Sequence, residues 1–125
     1  MAEGLVLKEN RSLVRRELIY YLKVTNGQTG QELGRLGDIH TGGMLLFSPE
    51  PLPLQAVYNV FLELPKIMAE EEGYPKVPIK AKAIWSLPGP SISNHYENGF
   101  QFLKLSRQAK RVIHRLTEIF AMPGS

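Results

Sequence analysis

Gly37-Asp38-Ile39-His40-Thr41-Gly42-Gly43-Met44-Leu45-Leu46-Phe47 is the stretch on which the reading of the fold turns. Met44 to Phe47 is a short apolar run of the kind that forms a buried strand, and the polar, glycine-containing residues before it read as a connection. Immediately upstream, Gln31 to Gly37 follows the turn signal Thr29-Gly30 and predicts a strand that delivers Asp38 at its end. Earlier still, Leu18, Tyr20, Leu22 and Val24 alternate with Ile19, Tyr21, Lys23 and Thr25, and Asn26-Gly27 supplies a pair that tolerates positive φ. The quoted segment is therefore expected to be a loop between two strands.

The same signals continue downstream. Pro49, Pro51 and Pro53 interrupt regular structure, after which Val57 to Leu64 is rich in β-branched and aromatic residues, with Tyr58, Val60, Leu62 and Leu64 on one face. Lys66 to Lys76 carries Glu70, Glu71 and Glu72 and then Gly73-Tyr74-Pro75, a composition that predicts a solvated acidic loop with room for one helical turn. Val77, Ile79, Ala81, Ala83 and Trp85 alternate with Pro78, Lys80, Lys82 and Ile84, which favours a core or barrel-mouth position for Trp85 over a ligand-stacking one. Pro78 predicts an edge or a bulge where this strand starts. Leu87 to His95 reads as a loop, and Tyr96 to Leu105 recovers strand character through Phe100, Phe102, Leu103 and Leu105. From Ser106 the period becomes helical: Ala109, Val112, Ile113, Leu116 and Phe120 share one stripe, Ser106 suits an N-cap, and Met122-Pro123-Gly124 a stop. About six strands and one terminal amphipathic helix imply a closed or nearly closed antiparallel barrel whose opening, or a partner, covers the helix stripe.

Bulk properties narrow the functional classes. With 125 residues and 43% hydrophobic content, the chain suits one domain with a single core. It has no cysteine, which removes disulfides, thiolate nucleophiles and sulfur-ligated zinc. No apolar run approaches the roughly 18 residues that span a bilayer, so a cytoplasmic protein with no membrane insertion is expected. Fifteen basic against twelve acidic residues leave a formal charge of +3, mild for a DNA or RNA binder. His40, His95 and His114 have no paired metal spacing, and Ser86, Ser91 and Ser93 lack a nucleophile elbow. Neither a metal site, a cofactor site nor enzymatic chemistry is expected.

What remains is a possible anion site. Arg11-Ser12-Leu13-Val14-Arg15, with Arg16, offers planar, permanently charged forks that bond phosphate or guanine O6 and N7 bidentately. Read alone, the three arginines are more simply solvated residues on a frayed terminal segment. Downstream, Asp38 can accept from a guanine N–H or from an arginine, or can be an ordinary turn aspartate, while Gly42 and Gly43 fit close ligand approach or plain turn chemistry.

These two halves together resemble the RxxxR and D/N-x-S-x-x-G motifs of the PilZ domain family of cyclic di-GMP receptors. The run Glu97-Asn98-Gly99-Phe100-Gln101-Phe102 after a tryptophan strand is a further point of likeness, and the resemblance spans roughly Arg11 to Phe120. It implies a mainly β fold: a six-stranded antiparallel PilZ-type barrel with a C-terminal amphipathic helix at 106–121, a domain over 11–122 and a flexible segment at 1–10. It also implies a ligand site of Arg11, Arg15, Arg16, Asp38, His40 and Gly43. The function implied is bacterial second-messenger signalling: binding cyclic di-GMP changes conformation and regulates a protein partner in motility, adhesion and biofilm, or exopolysaccharide pathways.

His40 stands where the family pattern has a serine, and imidazole can stack on a base, bond a phosphate, or block the pocket. The arginine half admits two registers. Arg11 and Arg15 satisfy the motif literally; anchoring instead on Tyr20-Tyr21-Leu22-Lys23-Val24 pairs Arg15 or Arg16 with the first arginine and leaves Ile19 or Tyr20 at the second. The alternatives to a receptor are a degenerate PilZ-fold module acting only through protein contacts, with the terminal helix and the acidic segment as its surfaces, and a small barrel that binds single-stranded nucleic acid.

Overall fold

The computed structural model describes residues 22–89 and 95–121. Arg11, Arg15 and Arg16, the segment 1–10, both proposed domain limits and the stop signal at 122–124 all lie outside the described residues. Six strands follow in chain order: β1 (Lys23–Asn26), β2 (Glu32–His40), β3 (Gly43–Ser48), β4 (Val57–Glu63), β5 (Lys76–Pro88) and β6 (Tyr96–Phe102). Helix α1 (Lys66–Glu72) separates β4 from β5, and α2 (Arg107–Ala121) follows β6. The strands close in the order β1-β2-β3-β6-β5-β4, every pair antiparallel, with β4 returning to β1. The expected six-stranded barrel with a terminal helix is what forms.

The interior is built from the alternating faces. Val24, Leu36, Leu46, Val60, Leu62, Val77, Ala81 and Ala83 are fully buried. Small residues stand opposite large ones where β5 meets β6: Ala81 faces Phe102 and Ala83 faces Phe100, so the volumes complement one another. The helix stripe Ala109, Val112, Ile113 and Leu116 joins this cluster, packing on β2 and β5. Ser106 caps α2, its Oγ accepting from the Ala109 N–H at 3.0 Å. Asn98, the one fully buried polar side chain among the described residues, is satisfied on every side. Its Nδ2 donates to the Leu46 carbonyl at 3.1 Å and to Ser48 Oγ at 2.8 Å, while Ser86 Oγ donates to its Oδ1 at 2.7 Å. Asn98 thus ties β3, β5 and β6 together from inside.

Several local expectations are corrected. The segment at Asp38 is not a loop, because β2 continues through His40 and pairs it with Gly43, leaving only Thr41-Gly42 as a turn. In the first turn positive φ falls on Gly30, at 78°, rather than on Gly27; Asn26 Oδ1 organises that turn by accepting from the Gln28 and Thr29 N–H groups. Pro78 does sit where the start of β5 is a local edge: it pairs with Phe61 of β4, and pairing with β6 begins only at Ala81. The strand expected to reach Leu105 ends at Phe102.

The acidic segment is a helix rather than a solvated loop. α1 buries Met68 against the core and ends at Gly73, whose φ of 89° only glycine adopts readily. Glu72 accepts from Arg111 at 2.8 Å and from Arg115 at 2.9 Å, and Glu71 pairs with Arg115. These bonds, Arg111 first, hold the Glu72 carboxyl down to about 2, and only 9% of its side chain stays exposed. Glu71 and Glu72 therefore join α1 to α2; Glu72 is nearly covered by that contact, while Glu70 and Glu71 stay exposed.

Candidate ligand groove

Two β-bulges define the functional wall of the barrel. In β2 the register slips between Leu36 and Asp38, and in β5 between Ala83 and Trp85. Strict alternation from buried Leu36 would turn Asp38 inward, and strict alternation from buried Ala83 would do the same to Trp85. Each bulge reverses that parity, so both side chains stand on the outer face. The β2 bulge is seated by Gly37, where an added Cβ would come within 2.6 Å of the Phe47 ring.

The strand register then lines up a single rung across four strands: Asp38 opposite Leu45, Leu45 opposite Gly99, Gly99 opposite Trp85. The neighbouring rung runs His40, Gly43, Gln101, Lys82. Between them lies a groove of about 440 Å³ lined by Asp38, His40, Leu45, Trp85, Gly99 and Gln101, among others. Trp85 is 41% exposed and its indole lies flat on the β6 backbone: a Cβ on Gly99 would sit 2.2 Å from Nε1. Gly99 is therefore what allows the ring to form one wall. The expectation that Trp85 belongs to the core or a barrel mouth is corrected by the bulge at Ile84.

Asp38 and His40 flank buried Ile39 and face outward together. Asp38 Oδ1 accepts from the Ile39 N–H at 2.8 Å, which fixes the carboxylate at the groove. His40 Nδ1 accepts from the Gly42 N–H at 3.0 Å. A ring nitrogen that accepts carries no proton, so the neutral imidazole here holds its hydrogen on Nε2, on the far side of the ring from the turn. His40 thus presents an N–H donor, the capability that a serine hydroxyl has at the same place. Gly43 is buried and does not line the groove. Its missing side chain answers to β6, since a Cβ would lie 2.1 Å from the Phe100 carbonyl oxygen. Neither Gly42 nor Gly43 has positive φ.

The structure accordingly brings Asp38 and His40 together, places Gly43 behind them, favours the groove over the core for Trp85, and adds Leu45 and Gln101, which the sequence did not single out. No lysine or arginine lines the groove among the described residues. What the wall offers is an acceptor, a directional donor and an aromatic face. No group of three His, Asp or Glu able to hold a metal occurs among the described residues, and no helix there is long and apolar enough to cross a membrane.

A barrel closed in this order, with a terminal helix and this motif at the β2–β3 turn, defines the PilZ class. The PilZ domain family model matches residues 8–118, and the chain belongs to that family. Solved structures with the same fold include the PilZ domain with c-di-GMP of YcgR from Escherichia coli, at TM-score 0.59 and 19% identity, covering 82% of this chain and 80% of that one. MrkH of K. pneumonia in its apo state matches at TM-score 0.57 and 18% identity, covering 79% of this chain and 46% of that one. At these identities the likeness is one of fold. No curated protein matches the chain.

Proposed function

We propose that this chain is a cyclic di-GMP receptor that regulates a protein partner. The observation that carries the reading is the pairing of the groove with the direction in which the chain arrives. β1 runs antiparallel to β2, and the Leu22 carbonyl accepts from the Leu36 N–H at 3.0 Å, so the described chain begins beside the part of β2 that leads to Asp38 and His40. Arg16 is six positions before Leu22, a span of at most about 20 Å when extended. Leu36 to His40, four residues along β2, covers about 13 Å. Arginines at 11, 15 and 16 are close enough in sequence to reach the groove, which has its own acceptor and donor but no lysine or arginine lining it among the described residues.

In this reading Asp38 accepts from a guanine N–H or from an arginine, His40 Nε2–H donates to phosphate or a base oxygen, and Trp85 offers its face to a purine. The arginines close over the phosphates, and the ordering that follows changes the surface shown to a partner. A micromolar ligand supplies about 8 kcal/mol, enough to offset the ordering of a few residues. Motility, adhesion and exopolysaccharide production are the outputs the family resemblance suggests.

The absence of lysine and arginine from the groove wall favours one second reading, a PilZ-fold module that works without the ligand. Calorimetric titration of variants separates the two. Arg15→Ala should cost on the order of 1.5–3 kcal/mol of binding if a charge-assisted bond to phosphate is lost. His40→Ser should retain binding and His40→Ala should weaken it. Equal affinity in wild type, Arg15→Ala and His40→Ala would remove these residues from the site.

A further inference from the structure

A second groove, of about 340 Å³, lies away from the first, across β4, β5 and the start of α2. Its floor is apolar, made by Val60, Phe61, Pro78 and Ile79, and its rim carries Lys80, Lys104 and Ser106. The Leu103 N–H donates to the Lys80 carbonyl at 2.9 Å, which sets the Lys80 and Lys104 backbones side by side. Lys76 extends the positive rim, its Nζ 4.5 Å from the centre of the Phe61 ring. At the other end the charge continues onto α2: Arg107 follows Ser106, and Lys110 stands one turn on, bonded through its N–H to the Ser106 carbonyl. Lys110 and His114 are exposed on the Ser106 flank of the helix, while Arg111 and Arg115 turn toward Glu71 and Glu72 on the other.

The contrast between the two flanks of α2 decides the meaning of this band. Arg111 and Arg115 have carboxylate partners, so their charge is spent within the fold. Lys80, Lys104, Arg107 and Lys110 have no ion pair among the described residues, and no carboxylate lines the groove. A run of unpaired cations beside an apolar trough is complementary to a strand of protein that alternates acidic and apolar side chains. We propose that this band docks an acidic, partly apolar segment of a partner protein in extended conformation. A bilayer presents a flat face, which the rim of a concave groove meets poorly. A single-stranded nucleic acid needs open aromatic platforms, whereas Phe61 lies half-buried beneath Lys76. The inference stands on this wall alone and holds whether or not the other groove takes cyclic di-GMP.

The test is fluorescence anisotropy of the full chain with a fluorescein-labelled peptide of Glu-Glu-Leu repeats, run beside phosphatidylserine vesicles and a single-stranded oligonucleotide. Saturable peptide binding is expected, weakened about tenfold or more by Lys104→Glu with Lys110→Glu, and changed little by Lys23→Glu, an exposed charge reversal on β1 outside the band. All three positions are exposed, so folding is expected to persist and is checked by circular dichroism. No peptide binding, equal weakening by the Lys23 control, or tighter binding of vesicles or oligonucleotide would each overturn the proposal.

Discussion

The two grooves of this barrel are near opposites. The groove on the wall made by β2, β3, β6 and β5 is lined by a carboxylate, an imidazole donor and an indole and, among the described residues, by no lysine or arginine, although Lys82 stands beside Gln101 at its edge. The trough across β4, β5 and α2 has lysines on its rim and no carboxylate. A site for a dianion with no cations of its own depends on charge brought from elsewhere, and such dependence is what couples binding to a change of shape. A site with unpaired cations is complete as it stands and suits a standing contact. Under the two proposals, sensing and docking occupy separate walls of one small barrel, with β5 shared between them.

The comparison breaks most severely if the internal tie beneath the first wall is cut. Asn98→Ala leaves the Ser86 hydroxyl and the Leu46 carbonyl without their partner, and a loss on the order of 3 kcal/mol is expected in urea unfolding. A loss below about 1 kcal/mol would mean that water replaces the amide and that the wall is not held from inside. Next in size is Gly99→Ala. The new methyl meets the indole of Trp85, so overpacking of about 1–3 kcal/mol is expected, together with a changed emission from Trp85, the chain's one tryptophan. Unchanged emission would show that the ring does not rest on Gly99.

Smaller again is the tie between α1 and α2. The Glu72 carboxyl, ordinarily near 4.5, is held at about 2 by Arg111 and then Arg115. Its folded value lies below the unfolded one, so its contribution is present above about 4.5 and is lost as pH falls toward 2. Glu72→Gln should therefore lower Tm at neutral pH by a few degrees and narrow its gap to wild type between pH 4.5 and 2. A gap that persists at the acid end would assign the effect to packing instead of charge. The smallest expected effect is the crossed one: Lys104→Glu should leave cyclic di-GMP affinity unchanged, and Asp38→Ala should leave peptide affinity unchanged. Coupling in either direction would show that the two walls act as one site.

Much of this was legible from residue patterns. The periods of two in Val57–Leu64 and Val77–Ala83 mark inward faces that the structure keeps, and the helical stripe from Ala109 to Leu116 is buried as its spacing requires. Asp38 and His40 were legible as candidates through the motif they resemble. Trp85 was legible only as the less favoured reading, because a one-residue bulge at Ile84 reverses its side, and nothing in an alternating sequence announces a bulge. The same holds for the outward turn of Asp38 at Gly37. Glu71 and Glu72 were misread as a loop because their partners, Arg111 and Arg115, lie some forty positions downstream, and pairing at that distance leaves no local trace. The arginine half of the site, at 11, 15 and 16, was read from sequence alone.

The central claim is that cyclic di-GMP enters the groove beside Trp85 with its charge met by those arginines. Calorimetric titration of the full chain with cyclic di-GMP, with GTP as control and Trp85 emission followed in parallel, tests it most directly. The account predicts saturable binding at micromolar or tighter affinity, selective over GTP, with a fluorescence change that saturates at the same ligand concentration. No heat and no stabilisation at about 100 µM ligand, a concentration that would saturate a micromolar site, would contradict it and leave a PilZ-fold module whose work is done through its protein contacts.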